Sequence, residues 1–402
     1  LRHRLDDPRR RRHDPGDVMS TLTAPDRRGT DSNKWRRYPQ DVLPLWVADM
    51  DFAADPRIAE AIRVRLDHGV LGYGRATDAQ REVLVQAMLR DHGWRIEPEW
   101  LVFLPGVEGG FNMALSAFTT PGGGVMEELP VYAPLRAAPE HWGLTLHPVW
   151  QRPDGGRWTS DEGEMEQAAR ASDALLLCNP QNPTGRVYTR SELALRADLC
   201  LRHDMVLISD EIHCGLVLDG RSHIPAASLS PEIAARSVTL MAASKTWNVP
   251  GLKTAFAIIP DATMRACFEG SKRGMVDSVN VLGLAGMSAA YEQCSDWRDA
   301  ARAQLAANRD RLAARLPDVL PGAKMLPAEA GFLAWIDCRA LGLPLPASEF
   351  FLERARVALS GGTDFGPGLE GWVRLNYGCT PELLDEALHR MAKAVRDHGG
   401  QE

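Results

Sequence analysis

From about residue 56 onward, short apolar runs alternate with stretches whose apolar positions recur at helical spacing. The runs are Leu101–Leu104, Ala174–Cys178, Met205–Ser209, Val238–Ala242 and Ala255–Ile259, and several end on a polar residue or on Gly or Pro. Short, wholly apolar segments separated by helices predict an α/β protein built on a doubly wound, mostly parallel sheet with helices on both faces. Asp55-Pro56 followed by Ile58, Ala61 and Ile62 predicts a capped helix start with proline in its first turn. Ligands of such sheets sit beyond the carboxyl ends of the strands, and the polar residues cluster there.

After about residue 295 the texture changes. A long polar helix is predicted over Asp296–Leu316, then an apolar run at Gly331–Ile336, a helix near Ala347–Val357, and a second run at Gly371–Asn376. This order predicts a small α+β domain over 296–402 beside a large domain over 56–295, with residues 27–55 packing against the smaller one. Residues 1–26 read as a basic, disordered leader, because residues 1–13 alone hold six Arg against two Asp. The chain proper is expected to open at Met19, with residues 1–18 an extension.

Composition narrows the function classes. With 402 residues, 45% hydrophobic and 25% charged, the chain is long enough for two or three cored domains and is neither collagen-like nor wholly disordered. A net charge of −7 gives no general attraction to nucleic acid or an anionic membrane. No apolar run is long enough to predict a transmembrane helix. The seven cysteines are scattered and never spaced C-x-x-C, which predicts a reduced, cytoplasmic protein without a zinc site. No metal is expected.

Four strand ends carry candidate chemistry. Lys245 follows Thr239-Leu240-Met241, where desolvation would lower its pKa toward the nucleophilic amine, although an isolated loop lysine is ordinarily solvent decoration. Asp210 ends Val206–Ser209; a helix N-cap is its plain alternative. Asn182 lies in Asn179-Pro180-Gln181-Asn182-Pro183-Thr184-Gly185, whose prolines stiffen a turn. Pro105-Gly106-Val107-Glu108-Gly109-Gly110 opens a helix and offers backbone amides to a phosphate, but matches neither a Walker loop nor a dinucleotide fingerprint.

Together, in this order and with 28 residues from Asn182 to Asp210 and 35 from Asp210 to Lys245, these motifs resemble the fold-type-I pyridoxal-phosphate enzymes, the aspartate aminotransferase superfamily. The segments Arg28–Trp35 and Leu43–Phe52 resemble the opening signature of the MalY/PatB-type cystathionine β-lyases. His68-Gly69, Gly72-Tyr73, Asp210–His213, Ser244–Asn248 and Val373–Asn376 continue that resemblance from about residue 27 to the end.

The resemblance implies that Lys245 carries the pyridoxal 5′-phosphate covalently, Asp210 pairs with the pyridine nitrogen, and Asn182 bonds the phenolic oxygen. His213 would stand near that oxygen, where aminotransferases commonly place a tyrosine; a structural Asp-x-x-His pair is the alternative. Tyr132 would stack on the ring, or serve as a core tyrosine. The amides of Glu108 and Gly109, Lys253, and Tyr73 of a neighbouring subunit would hold the phosphate, making the unit at least a homodimer, and Arg374 would clamp the substrate carboxylate.

Two positions depart from the pattern. Ala242 stands where relatives carry a phosphate-binding serine, a loss of about 1–3 kcal/mol for a charged acceptor. Glu108 beside a phosphate is repulsive unless it points to solvent, which is the expectation; turned inward, it would recognise a cationic group on the substrate.

The implied activity is a C–S β-lyase that cleaves cystathionine or another cysteine S-conjugate to a thiol, pyruvate and ammonia. An aminotransferase is the nearest alternative and a cofactor-free regulatory or binding module the more distant one. Residues 20–55 and 350–370 are expected to line the pocket mouth.

Overall fold

The structure is a computed structural model that describes residues 22–399. Most of the leader expected over residues 1–26 lies outside the described residues.

The larger sheet is formed by β1 (Leu101–Leu104), β2 (Gly124–Leu129), β3 (Thr145–Trp150), β4 (Ala174–Cys178), β5 (Val206–Asp210), β6 (Ser237–Met241) and β7 (Ala255–Ile258). Its spatial order is β1-β7-β6-β5-β4-β2-β3. Neighbours from β6 to β3 are parallel, whereas β7 runs antiparallel to both β6 and β1. Six strands therefore point one way, and the carboxyl ends of β1, β4, β5 and β6 share one edge. Apart from the edge strand β3, which is largely accessible, the strands are buried almost throughout because helices cover both faces, which is why most of their sequences read as apolar runs.

The helix Pro56–Asp67 begins as expected, with the Asp55 side chain accepting from the Arg57 amide. Thr77 and Gln80, and Thr189 and Glu192, form reciprocal capping boxes at two further helix starts. The helix Ser295–Val319 buries a stripe that includes Trp297, Ala301, Leu305, Leu312 and Leu316, leaving its polar face outward.

A second, antiparallel sheet contains β8 (Lys324–Met325), β9 (Leu333–Asp337), β10 (Ser360–Gly361) and β11 (Trp372–Asn376) in the order β8-β9-β11-β10. The helix expected over Ala347–Val357 is shorter. It runs Ala347–Phe350, widens into a π-turn at Phe351–Ala355 and ends where Arg356 adopts a left-handed φ of 56°. Val357–Ala358 then pair in parallel with Leu43–Pro44, so the segment before residue 56 joins the second sheet's surroundings through backbone bonds.

That early segment is fastened by polar groups. Asp51 accepts from Arg27 at 2.9 Å, from Lys34 at 2.8 Å and from the Trp35 indole at 2.9 Å, and Lys34 is fully buried. One apolar cluster meanwhile joins Leu45 and Met50 to Trp247, Phe332 and Leu375.

On β2, adjacent carboxylates face opposite ways. Glu128 is paired with Arg196 and Ser160. Glu127 is fully buried with neither oxygen hydrogen-bonded, and burial pushes its pKa up to about 8.

Three outcomes follow for stability. Asp51→Ala strands the Lys34 ammonium in the interior and should cost about 3–5 kcal/mol in denaturant unfolding. Arg63→Ala, which breaks an exposed pair with Glu60, should barely shift the midpoint. Because Glu127 is held neutral when folded, its contribution is present in full below about pH 4.5 and is lost as the pH rises to about 8. Unfolding midpoints across that window should fall for the wild type relative to Glu127→Gln and run parallel outside it.

Candidate active site

The edge carrying the carboxyl ends of β1, β4, β5 and β6 forms the floor of a cleft of about 410 Å³, walled on the other side by residues near β10 and β11. Lys245, Asp210, Asn182, His213, Tyr132, Glu108, Lys253 and Arg374 all line it.

Lys245 sits in the single helical turn Ala243–Thr246 that follows β6, and its Nζ donates to the Ala48 carbonyl at 2.7 Å. Burial, aided by the Arg374 charge, lowers its pKa to about 8, against the opposing pull of Asp49, Asp210 and Glu108. Asp210 ends β5. Its Oδ1 accepts the Ile212 amide at 3.1 Å, a local turn bond, while burial raises its pKa to about 7. Neither group has its charge fully answered, a state typical of sites that do chemistry.

His213 is buried with Nδ1 unpartnered, lies edge-on to Phe332 at 6.0 Å, and is held neutral by burial, its pKa lowered to about 3. Asn182 lies in a turn closed by the Gly185 amide on the Gln181 carbonyl at 2.8 Å. Gly185 has φ +69°, and a Cβ there would meet the Ala328 Cβ at 2.4 Å, so only glycine fits.

Arg374 projects from β11. Its terminal nitrogens donate to the Asn182 Oδ1 at 3.1 Å, the Trp46 carbonyl at 2.9 Å and the Ser360 hydroxyl at 3.0 Å, with the guanidinium 4.9 Å over the Phe365 ring. Nε has no partner, and burial lowers the pKa to about 10. No described carboxylate pairs with it, so a buried cation is left facing the cleft.

At the helix Val107–Phe118, Gly106 is an extended N-cap without a side-chain bond, and the first intrahelical bond is from the Gly110 amide to the Gly106 carbonyl at 3.3 Å. The amides of Val107, Glu108 and Gly109 thus precede any helical partner, beside open space at Gly106. A Cβ at Gly109 would make only ordinary contact, whereas one at Gly110 would meet Leu240 at 2.5 Å. Close packing of helix on sheet therefore needs Gly110, a requirement the motif alone did not reveal.

Glu108 is exposed, as expected, but does not turn away. Its Oε1 accepts from the Tyr132 hydroxyl at 2.7 Å, across the cleft wall. Lys253, in a left-handed conformation, lies at the rim. Tyr73 is not in this cleft; it is 99% exposed in the loop after Pro56–Asp67.

Several contributors were not singled out from sequence. The carbonyls of Trp46 and Ala48 hold Arg374 and Lys245, and Ser360, Asp364 and Phe365 lie in the 350–370 stretch expected at the mouth. Asn248 donates to the carbonyls of Met50 and Phe52 and accepts the Met50 amide at 2.9 Å. Asn376 donates to those of Val47 and Asp49. Asn248 and Asn376 lay inside recognised motifs, but a carbonyl acceptor leaves no side-chain signature in sequence.

Among the described residues no cluster suited to a metal ion occurs, and no helix is long and apolar enough to cross a membrane. A model of the aminotransferase class I and II family matches residues 40–391. Cystathionine beta-lyase PatB of Bacillus subtilis is 37% identical over 379 residues, covering 92% of this chain and 98% of PatB. The crystal structure of OvoB superposes with a TM-score of 0.88 at 44% identity, covering 92% of this chain and 97% of OvoB. Cystalysin from Treponema denticola, whose structure contains pyridoxal 5′-phosphate, superposes with a TM-score of 0.91 at 29% identity, covering 95% of this chain and all of cystalysin. The lysine, aspartate and arginine brought together at one sheet edge thus stand on an extensively shared fold, and the chain belongs to the aminotransferase class I and II family, in the branch that contains PatB.

Proposed function

We propose that this protein is a pyridoxal-phosphate-dependent carbon–sulfur β-lyase that cleaves cysteine S-conjugates such as cystathionine to a thiol, pyruvate and ammonia. The observation that carries the reading is a half-buried lysine, its pKa lowered to about 8, in one cleft with a buried aspartate and an arginine that lacks a carboxylate partner.

The residues present fit the cofactor. Unpartnered helix amides beside Gly106 suit a phosphate, the Asp210 carboxylate suits a protonated ring nitrogen, and the open flank of Tyr132 suits a ring face. When bound, pyridoxal phosphate supplies an electron sink conjugated to the substrate Cα. A cation opposite Asp210 offsets the desolvation that otherwise raises its pKa, so the carboxylate stays ionised and keeps the ring nitrogen protonated. Lys253, with the amides of Glu108 and Gly109, would hold the phosphate, to which Ala242 offers no hydroxyl.

Arg374 orients the substrate through its α-carboxylate, which offers Nε the partner it lacks. Lys245 Nζ, close to half neutral at pH 8, takes the Cα proton as general base. The electron pair left at Cα expels the β-thiolate, and water hydrolyses the released enamine to pyruvate and ammonia. His213, held neutral by burial, and Asn182 would flank the phenolic oxygen.

The large unit over 56–295 supplies the floor of this site, and the smaller one over 296–402, with residues 27–55, its opposite wall. The exposed Val70, Leu71 and Tyr73 pack on a second copy, where the Tyr73 phenol completes the neighbour's phosphate site. Seven free cysteines, six of them buried, accord with a cytoplasmic protein.

Pyruvate release from L-cystathionine and S-methyl-L-cysteine, without any keto acid, tests the activity. The wild type should release pyruvate and Lys245→Ala should be slower by about 10²–10⁴-fold or more. Absence of pyruvate with stoichiometric conversion to the pyridoxamine form would establish a transaminase instead. Subunit sharing is tested by mixing Tyr73→Phe with Lys245→Ala. If Tyr73 acts across the interface, heterodimers regain one intact site and activity rises to about a quarter of wild type. If it acts within its own chain, nothing is regained.

A further inference from the structure

The cleft carries more negative charge than the lyase chemistry uses. Its cations are Lys245, Lys253 and Arg374, and its anions are Asp210, Glu108 and Asp364. The proposed reaction assigns each cation a partner: Lys245 the cofactor itself, Lys253 the phosphate, Arg374 the substrate α-carboxylate. Asp210 is answered by the ring nitrogen. Glu108 and Asp364 remain, and neither forms an ion pair with a described residue.

These two carboxylates approach from opposite walls. Glu108 belongs to the first turn of the helix Val107–Phe118 and is steadied by the Tyr132 hydroxyl at 2.7 Å. Asp364 ends the turn Gly362–Asp364 after β10, next to Phe365, whose ring lies beneath the Arg374 guanidinium at 4.9 Å. Both are exposed, so they lie at the rim rather than the floor. The buried, unpartnered Nε of Arg374 marks where the α-carboxylate is held. A conjugate anchored there, with its Cα over Lys245, extends its sulfur substituent toward the rim.

We propose that Glu108 and Asp364 set the distal specificity of the site, selecting cysteine S-conjugates whose departing group carries an ammonium-type cation over those whose departing group carries a carboxylate. The proposal rests on the lyase reading for the direction in which substrate lies. A carboxylate brought to this rim meets two like charges, a neutral alkyl group meets none of its own sign, and an ammonium finds two acceptors.

The test compares kcat/KM for pyruvate release from S-(2-aminoethyl)-L-cysteine, S-propyl-L-cysteine and S-carboxymethyl-L-cysteine, in the wild type, Glu108→Gln and Asp364→Asn. Two partly exposed charge pairs should favour the cationic over the anionic conjugate by about tenfold or more. Each substitution should shrink that ratio, and taking the ratio within one variant cancels any change in cofactor loading. Calorimetry on the cofactor-loaded protein adds a readout without turnover, using L-lysine, L-norleucine and L-2-aminoadipate, which lack a β leaving group. Affinity should fall in that order.

Pyruvate from all three conjugates with equal efficiency, or best from the carboxymethyl compound, overturns the rim proposal and leaves the lyase reading standing. Pyruvate from none overturns the lyase reading. The calorimetric order then decides the rim by itself, the same ranking supporting it and no ranking overturning it.

Discussion

Residues 45–52 are the constraint on which the site depends. This stretch threads between the two sheets with its backbone groups satisfied by side chains far away in sequence: Asn248, three residues past Lys245, on one side and Asn376, two past Arg374, on the other. Backbone polar groups buried without partners are costly, so these two amides fix where the stretch can lie. The carbonyls that remain are spent on function. Ala48 receives Lys245, and Trp46 receives Arg374. The cluster of half-buried Arg27 with buried Lys34 and Asp51 locks the far side of the same stretch.

The electrostatics follow from that geometry. Burial lowers the proton affinity of Lys245 and of Arg374, the Arg374 charge lowers that of Lys245 further, and burial raises that of Asp210. Each group on its own is unfavourable. A dianionic phosphate, a ring cation and an amino-acid carboxylate would answer all of them together, so the charge pattern is itself a description of the ligand.

How much of this was legible follows from what sequence encodes. β4, β5 and β6 were legible because parallel strands buried on both faces are written as uninterrupted apolar runs, and the residue ending each run then lands on the ligand edge. The reversed direction of β7 was not, since Ala255–Ile258 would be equally apolar either way. Ser360 sits on the two-residue strand β10 and Asp364 on the turn after it, both too short for any periodicity, which is why their stretch could be named but their facing could not. The inward turn of Glu108 depends on Tyr132, 24 residues on, a contact no local pattern announces. The helix expected to reach Val357 stops early because that residue is claimed by Leu43, more than three hundred positions away.

The threaded stretch also governs when the site can exist. Val47 and its Asn376 partner are 329 residues apart, and Met50 and Asn248 are 198 apart. At ribosomal speeds of roughly 5–20 residues per second, the early stretch waits on the order of tens of seconds for its last donor to be synthesised. Until then Leu45 and Met50 have no complete core to enter, and contacts of such range are slow to close. The large sheet can form during synthesis, but the lysine and the arginine cannot be brought to bear on one molecule until the chain is nearly whole. Competence to bind substrate is therefore a late event in the life of the nascent chain.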